Sequence, residues 1–268
     1  MYGILDNLKD LPLELDLPYE IFATRFSEPP SKAEDEEKDS VDISQYFFVK
    51  EFECPVCKAK FSTSVLRDSK LRMLRMDELR PVYRDVEPLC YDIMLCVNCG
   101  YATLKDRFLV VSEKQRDAIL ANIRTNYANF MPATSHAEID LKQGVERLKY
   151  ALLTALIKKV STGERAMLLT KIAWLYKIMK DEENYLYYAK YANAELTKAY
   201  QNESFPIFGM SEGVVTFLLA RFAADEEDYS TALKFLSNII VNQNLSTRLR
   251  DLARDLKEYV QQQRKDEK

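Results

Sequence analysis

Four cysteines in two matched pairs, Cys54-Pro55-Val56-Cys57 and Cys96-Val97-Asn98-Cys99-Gly100, carry the most specific chemistry in the chain. Two residues between the thiols let one tight turn aim both sulfurs at a single ion. Two such turns complete a tetrahedral four-cysteine shell, the closed coordination usual for structural zinc. Pro55 stiffens the first turn, and Gly100 follows the second pair, where the backbone often needs positive φ. Zn2+ is therefore the expected ion. Iron in a rubredoxin-like site is the minor alternative, because ligand softness and geometry do not separate the two metals. A thioredoxin-like dithiol is not expected, since that chemistry uses one pair at a helix start and here each pair has a matching partner.

The fifth cysteine, Cys90, precedes Cys96 by six residues. Extended chain would separate them by roughly 20 Å, so Cys90 reads as a half-buried spectator. The single histidine, His136, rules out any mechanism needing a histidine pair within one chain. No Gly-rich phosphate loop, HExxH or Gly-x-Ser-x-Gly occurs, and no carboxylate is picked out by its surroundings. A catalytic role is not expected. The tyrosines Tyr187 and Tyr191, four apart and so on one helix face, together with Phe205 and Phe208 in an apolar loop, are the candidate contacts for a protein partner. Tyr185, Tyr188 and Trp174 are expected to pack between helices.

Charge points the same way. Lys plus Arg number 38 and Asp plus Glu 42, a formal balance of -4. Between residues 62 and 95 the six bases Arg67, Lys70, Arg72, Arg75, Arg80 and Arg84 meet six acids. No net field results, and affinity for nucleic acid rests on phosphate neutralisation, so nucleic acid is not the expected partner. No apolar run approaches the ~20 residues of a membrane helix, and the start lacks the basic and apolar regions of a signal peptide. Cysteines in metal-type pairs suit a reducing compartment, so the cytoplasm is the expected location.

The elements that must position these residues change character along the chain. Residues 1–44 read as an arm, with Leu11, Leu13, Leu15 and Leu17 alternating with polar residues and prolines, followed by a solvated, mobile acidic linker around 31–39. Residues 45–111 read as a small antiparallel zinc ribbon. Its strands are expected over Tyr46–Phe52, Lys60–Val65 and Tyr91–Leu95, with Lys70–Leu74 as a continuation or partner. From 112 to 268 the period becomes helical. Helices are expected to open at Ser112 and Ser135, after Ser161 and after Asp181, and to run over 212–224, 229–241 and 246–264. Small residues such as Ala220, Ala223 and Ala232 sit where paired helices approach, which suggests a tetratricopeptide-like array of hairpins. The fold class is thus α+β, mostly α, and the 112–268 segment is expected to be an independent unit.

The cysteine turns with Phe61, the segment Val65-Leu66-Arg67-Asp68-Ser69-Lys70-Leu71-Arg72, and Tyr91-Asp92 ahead of Cys96 resemble a bacterial family catalogued as domain of unknown function 2225. The helical part, with Ala173-Trp174-Leu175-Tyr176, is similar to that family's tetratricopeptide-like half. The resemblance covers most of residues 45–245 and departs from the family at Cys90. It implies a cysteine-ligated metal and a helical interaction region, with no established activity. The leading expectation is a non-catalytic adaptor that binds another protein. A nucleic-acid-associated ribbon protein, or an enzyme whose site appears only in three dimensions, stays open.

Overall fold

The computed structural model describes residues 16–23, 42–124 and 138–266. His136, the acidic linker and most of the leucine-rich arm lie outside these. The described residues form two compact units. One runs to Lys159 and takes in Leu175–Asp181; the other comprises Val160–Trp174 and Glu182 onward.

The first unit contains three two-stranded antiparallel sheets. β1 (Phe47–Glu53) pairs with β2 (Lys60–Leu66) in register from Phe47 opposite Leu66 to Glu53 opposite Lys60. β3 (Met73–Asp77) pairs with β4 (Arg80–Tyr83). Lys70–Leu74 is therefore neither a continuation of β2 nor its partner. Its C-terminal part opens a separate hairpin, locked by buried Arg80, which pairs with Asp77 at 3.0 Å and Glu87 at 3.3 Å. β5 (Ile93–Leu95) pairs with β6 (Ala102–Leu104), and all six residues are buried.

Among the described residues, two α-helices lie wholly within this unit. α1 (Glu113–Ile119) opens on the expected capping box, in which Ser112 and Gln115 satisfy each other's backbone donors. α2 (Leu141–Lys158) opens later than expected. Its capping box is Asp140 with Gln143, directly ahead of the apolar positions Val145 and Leu148, and residues 138–140 are not helical. Every residue from Leu148 to Leu156 is buried. α2 is covered all round because it packs against α1, β5, β6 and the 3-10 turn Pro88–Tyr91. The change of period at residue 112 thus does not coincide with the division into units: α1 and α2 share a core with the strands.

The second unit is helical: α3 (Thr162–Ile178, as far as Trp174), α4 (Glu182–Asn202), α5 (Glu212–Asp225), α6 (Tyr229–Val241) and α7 (Thr247–Asp266). α5 packs against α4, α6 and α7, and α6 against α7. Ala189, Ala192 and Ala199 on α4, Ala220 and Ala223 on α5, Ala232 on α6 and Ala253 on α7 are buried, so the backbones approach closely. Asp228 caps α6 by accepting from the Thr231 N–H at 3.1 Å. Buried Glu195 holds α4 to α3, taking Arg165 Nε at 2.6 Å and Lys198 Nζ at 2.7 Å.

Candidate metal centre

Each cysteine pair sits on a turn leaving a strand, and the two turns repeat the same hydrogen bonds. The Lys58 N–H donates to the Cys54 carbonyl and the Gly100 N–H to the Cys96 carbonyl, both at 2.9 Å. The Cys54 N–H reaches the Ala59 carbonyl at 3.0 Å, and the Cys96 N–H reaches that of Tyr101 at 2.8 Å. The residue after each pair adopts positive φ, 64° at Lys58 and 74° at Gly100. The chain thus folds back one residue past each second cysteine, which points both thiols of a pair the same way.

The four Sγ atoms lie within 4.8 Å of one another. Cys54 and Cys99 are 3.7 Å apart across the turns, as are Cys57 and Cys96. A tetrahedron with metal–sulfur bonds of ~2.3 Å has S···S edges of about 3.8 Å, so the thiols fit one small ion. Cys54, Cys96 and Cys99 are fully buried and Cys57 half-buried. Hydrogen bonds from Cys96 and Cys99, aided by the Cys57 and Val56 backbone N–H groups, pull the Cys54 thiol far below its ordinary range. Its ionisation pushes Cys96 and Cys99 up. Thiols this close resist ionising together, and a bound cation supplies the compensating charge that lets all four act as thiolate ligands. The Asn98 side-chain amide donates to Cys57 Sγ at 3.3 Å, a supporting contact that the sequence reading did not identify.

Cys90 does not belong to this cluster. It is more buried than expected, at 2 % exposure. Its sulfur lies where a side chain at Gly144 of α2 would sit, 2.7 Å from an ideal Cβ there. Burial pushes the thiol up to about 12, so it stays protonated and inert at neutral pH.

The candidate partner contacts fall into two clusters. Tyr187 and Tyr191 stack edge-on at 5.1 Å, with Tyr187 also 5.4 Å from buried Tyr188. Phe205, 39 % exposed, lies 6.0 Å from Tyr200, whose ring is 6.1 Å from Phe235. Tyr191 and Tyr200 are nine residues apart, about 14 Å along α4, so the ring contacts of Tyr187 and Tyr191 are separate from those of Phe205. The loop is divided in role as well. Ile207 is buried, with its Cγ2 2.5 Å from an ideal Cβ at Gly163 on α3, while Phe208 is half-buried. Tyr185 and Tyr188 are core as expected, and the Tyr185 hydroxyl donates to Asp225. Trp174 is half-buried rather than core.

Among the described residues, no helix is long and apolar enough to cross a membrane. Comparison with curated proteins and with solved structures gives no match. Residues 47–260, which carry both cysteine turns and most of the helices, match the family described as an uncharacterised protein conserved in bacteria, DUF2225, and the chain belongs to that family.

Proposed function

We propose that this is a cytoplasmic, non-catalytic adaptor in which structural zinc joins the two cysteine turns and a tetratricopeptide-like array offers its surface to another protein. The observation that carries the zinc reading is the closed character of the shell. Four protein thiols, three of them at 0 % exposure, leave no coordination position for water or substrate. That is the arrangement of structural rather than catalytic zinc. Iron remains the minor alternative. The array reading draws support from successive helix pairs with alanines at their contacts, and the cytoplasmic reading from five unpaired thiols.

Elemental analysis of the purified protein should find one zinc per chain. Stoichiometric iron with a visible charge-transfer band would replace zinc in this reading, and absence of metal would remove it. For the adaptor role, Tyr187→Ala with Tyr191→Ala should weaken capture of a protein partner while leaving the melting temperature nearly unchanged. Unfolding of that variant would make the pair core; unchanged capture would move the binding surface elsewhere.

A further inference from the structure

We propose that the four-thiol shell opens and closes at Cys57, and that Asn98 is the positioning residue that keeps this sulfur in place. This rests on the zinc reading above, and it gives the four ligands unequal parts. Cys54, Cys96 and Cys99 are each at 0 % exposure, whereas Cys57 is half-buried. A competing chelator or a thiol-reactive electrophile needs a sulfur that solvent can reach. Ligand exchange therefore starts at Cys57.

The way each sulfur is held sharpens the difference. In the first turn the backbone N–H groups of Cys57 and Val56 serve Cys54, and in the second the backbone N–H of Asn98 serves Cys96. The first cysteine of each pair is thus fixed by its own turn. Cys57, the second of its pair, takes a donor from across the shell. The Asn98 amide reaches its Sγ at 3.3 Å, from 41 residues away in sequence. Asn98 therefore serves sulfurs of both turns, one through its backbone and one through its side chain. The matching position of the first turn is Val56, 2 % exposed and without a side-chain donor, so this bridge runs one way.

An amide N–H on a thiolate draws charge from the sulfur and makes it a poorer nucleophile toward competitors. It also holds the side chain toward the other three thiols. An apolar residue at position 98 would cover Cys57 without doing either. Val97 and Asn98 are both exposed, so water is an alternative partner for the amide. The bond can exchange with water at little cost and without unfolding the second turn. Asn98 is in this sense a latch on Cys57.

The test starts from wild-type chain loaded with zinc, its metal content checked by elemental analysis. With less than one equivalent of iodoacetamide, peptide mapping by mass spectrometry should find Cys57 alkylated ahead of Cys54, Cys96 and Cys99. Alkylation of any of those three first overturns the proposal. Asn98→Leu keeps nearly the same shape without the donor. It should speed both zinc transfer to a chromophoric chelator and alkylation of Cys57 by at least ~10-fold. Asn98→Gln keeps an amide donor and should recover most of the wild-type rate. With Co2+ as the probe metal, Asn98→Leu should move the sulfur-to-metal charge-transfer band to lower energy, with Asn98→Gln close to wild type. Should Asn98→Leu lose its circular dichroism signal, Asn98→Ala takes its place. Wild-type release rates in the donor-less variant, or an unmoved band, overturn the role of Asn98, since a residue that only fills space would give that result. A chain that holds no metal removes this proposal together with the zinc reading. A chain that holds zinc and is alkylated first at another ligand removes this proposal alone.

Discussion

The two cysteine turns make the same backbone bonds and are held in very different ways. The second turn joins β5 to β6, whose residues are all buried; Tyr101 beside it is 0 % exposed, and the Ala102 N–H donates to Thr154 of α2. The first turn joins β1 to β2, and in β1 no residue is buried. Phe48 and Val49 are exposed, and the hairpin packs through the buried Phe61, Thr63 and Leu66 of β2, with Phe61 5.9 Å from Phe108 and Phe47 4.8 Å from Tyr91. The second turn is therefore the more deeply packed of the two, and the first has more to gain from an ion shared by both. An ion bound by these four thiols would contribute part of its binding free energy to ordering the less buried hairpin.

Removing the metal should have the largest effect and should split the two turns. On chelation, amide exchange should accelerate by orders of magnitude over Phe47–Leu66, while β5, β6 and α2 keep most of their protection and helical circular dichroism persists. Equal loss in both hairpins would mean that packing holds neither. Substitutions should follow the same order. Cys96→Ser replaces a fully buried thiol and should abolish stoichiometric metal. Cys57→Ser, at the half-buried position, should leave a weakened site with water reaching the fourth position. Elemental analysis and a thermal melt of each variant read this difference, and identical losses would erase the contrast.

Much of this contrast was invisible in the sequence for identifiable physical reasons. The spacing of Cys54, Cys57, Cys96 and Cys99 and the capping pattern at Ser112 are local signals, and both were legible. The start of α2 was less so, because Ser135-x-x-Glu138 and Asp140-x-x-Gln143 carry the same chemistry. The one adjoining Val145 and Leu148 is the cap. β6 has three residues and no alternation to find. Above all, the helical period marks where helices begin and says nothing of where a core ends. α2 buries Lys149, Tyr150 and Thr154 along with its apolar stripe, so it belongs with the strands. A lysine on the apparently polar side of a helix reads as solvated, and only the surrounding chain reveals otherwise.

Cys90 offers a smaller effect, at its contact with Gly144 of α2. Its folded-state thiol is raised to about 12 from an ordinary 9.0 by desolvation. The sign follows from proton counting. Below pH 9 both states hold the proton and stability is complete. Above it the unfolded thiol ionises first, so stability falls progressively toward pH 12. At pH 10 the loss is about 1 kcal/mol. Cys90→Ala should leave metal content unchanged and remove that component from a comparison of denaturant midpoints at pH 8 and 10. An unchanged pH slope would show that the thiol is hydrated in solution.

The finest distinction between the turns lies in the residue after each pair, glycine in one and lysine in the other, both at positive φ. A side chain in the left-handed region costs about 1–2 kcal/mol relative to glycine. Gly100→Ala should therefore destabilise the second turn by about that amount, with its effect visible in thermal melts even while metal is retained. Lys58→Gly should act in the opposite direction and less strongly. It relieves the strain at Lys58 but adds backbone freedom to the unfolded chain, so the net gain should be below about 1 kcal/mol. That gain should appear mainly as slower metal release to a chelator, because Lys58 closes the turn that carries Cys54 and Cys57. If Lys58→Gly instead speeds metal release, Lys58 supports the turn through its side chain, and the two turns differ in more than their packing.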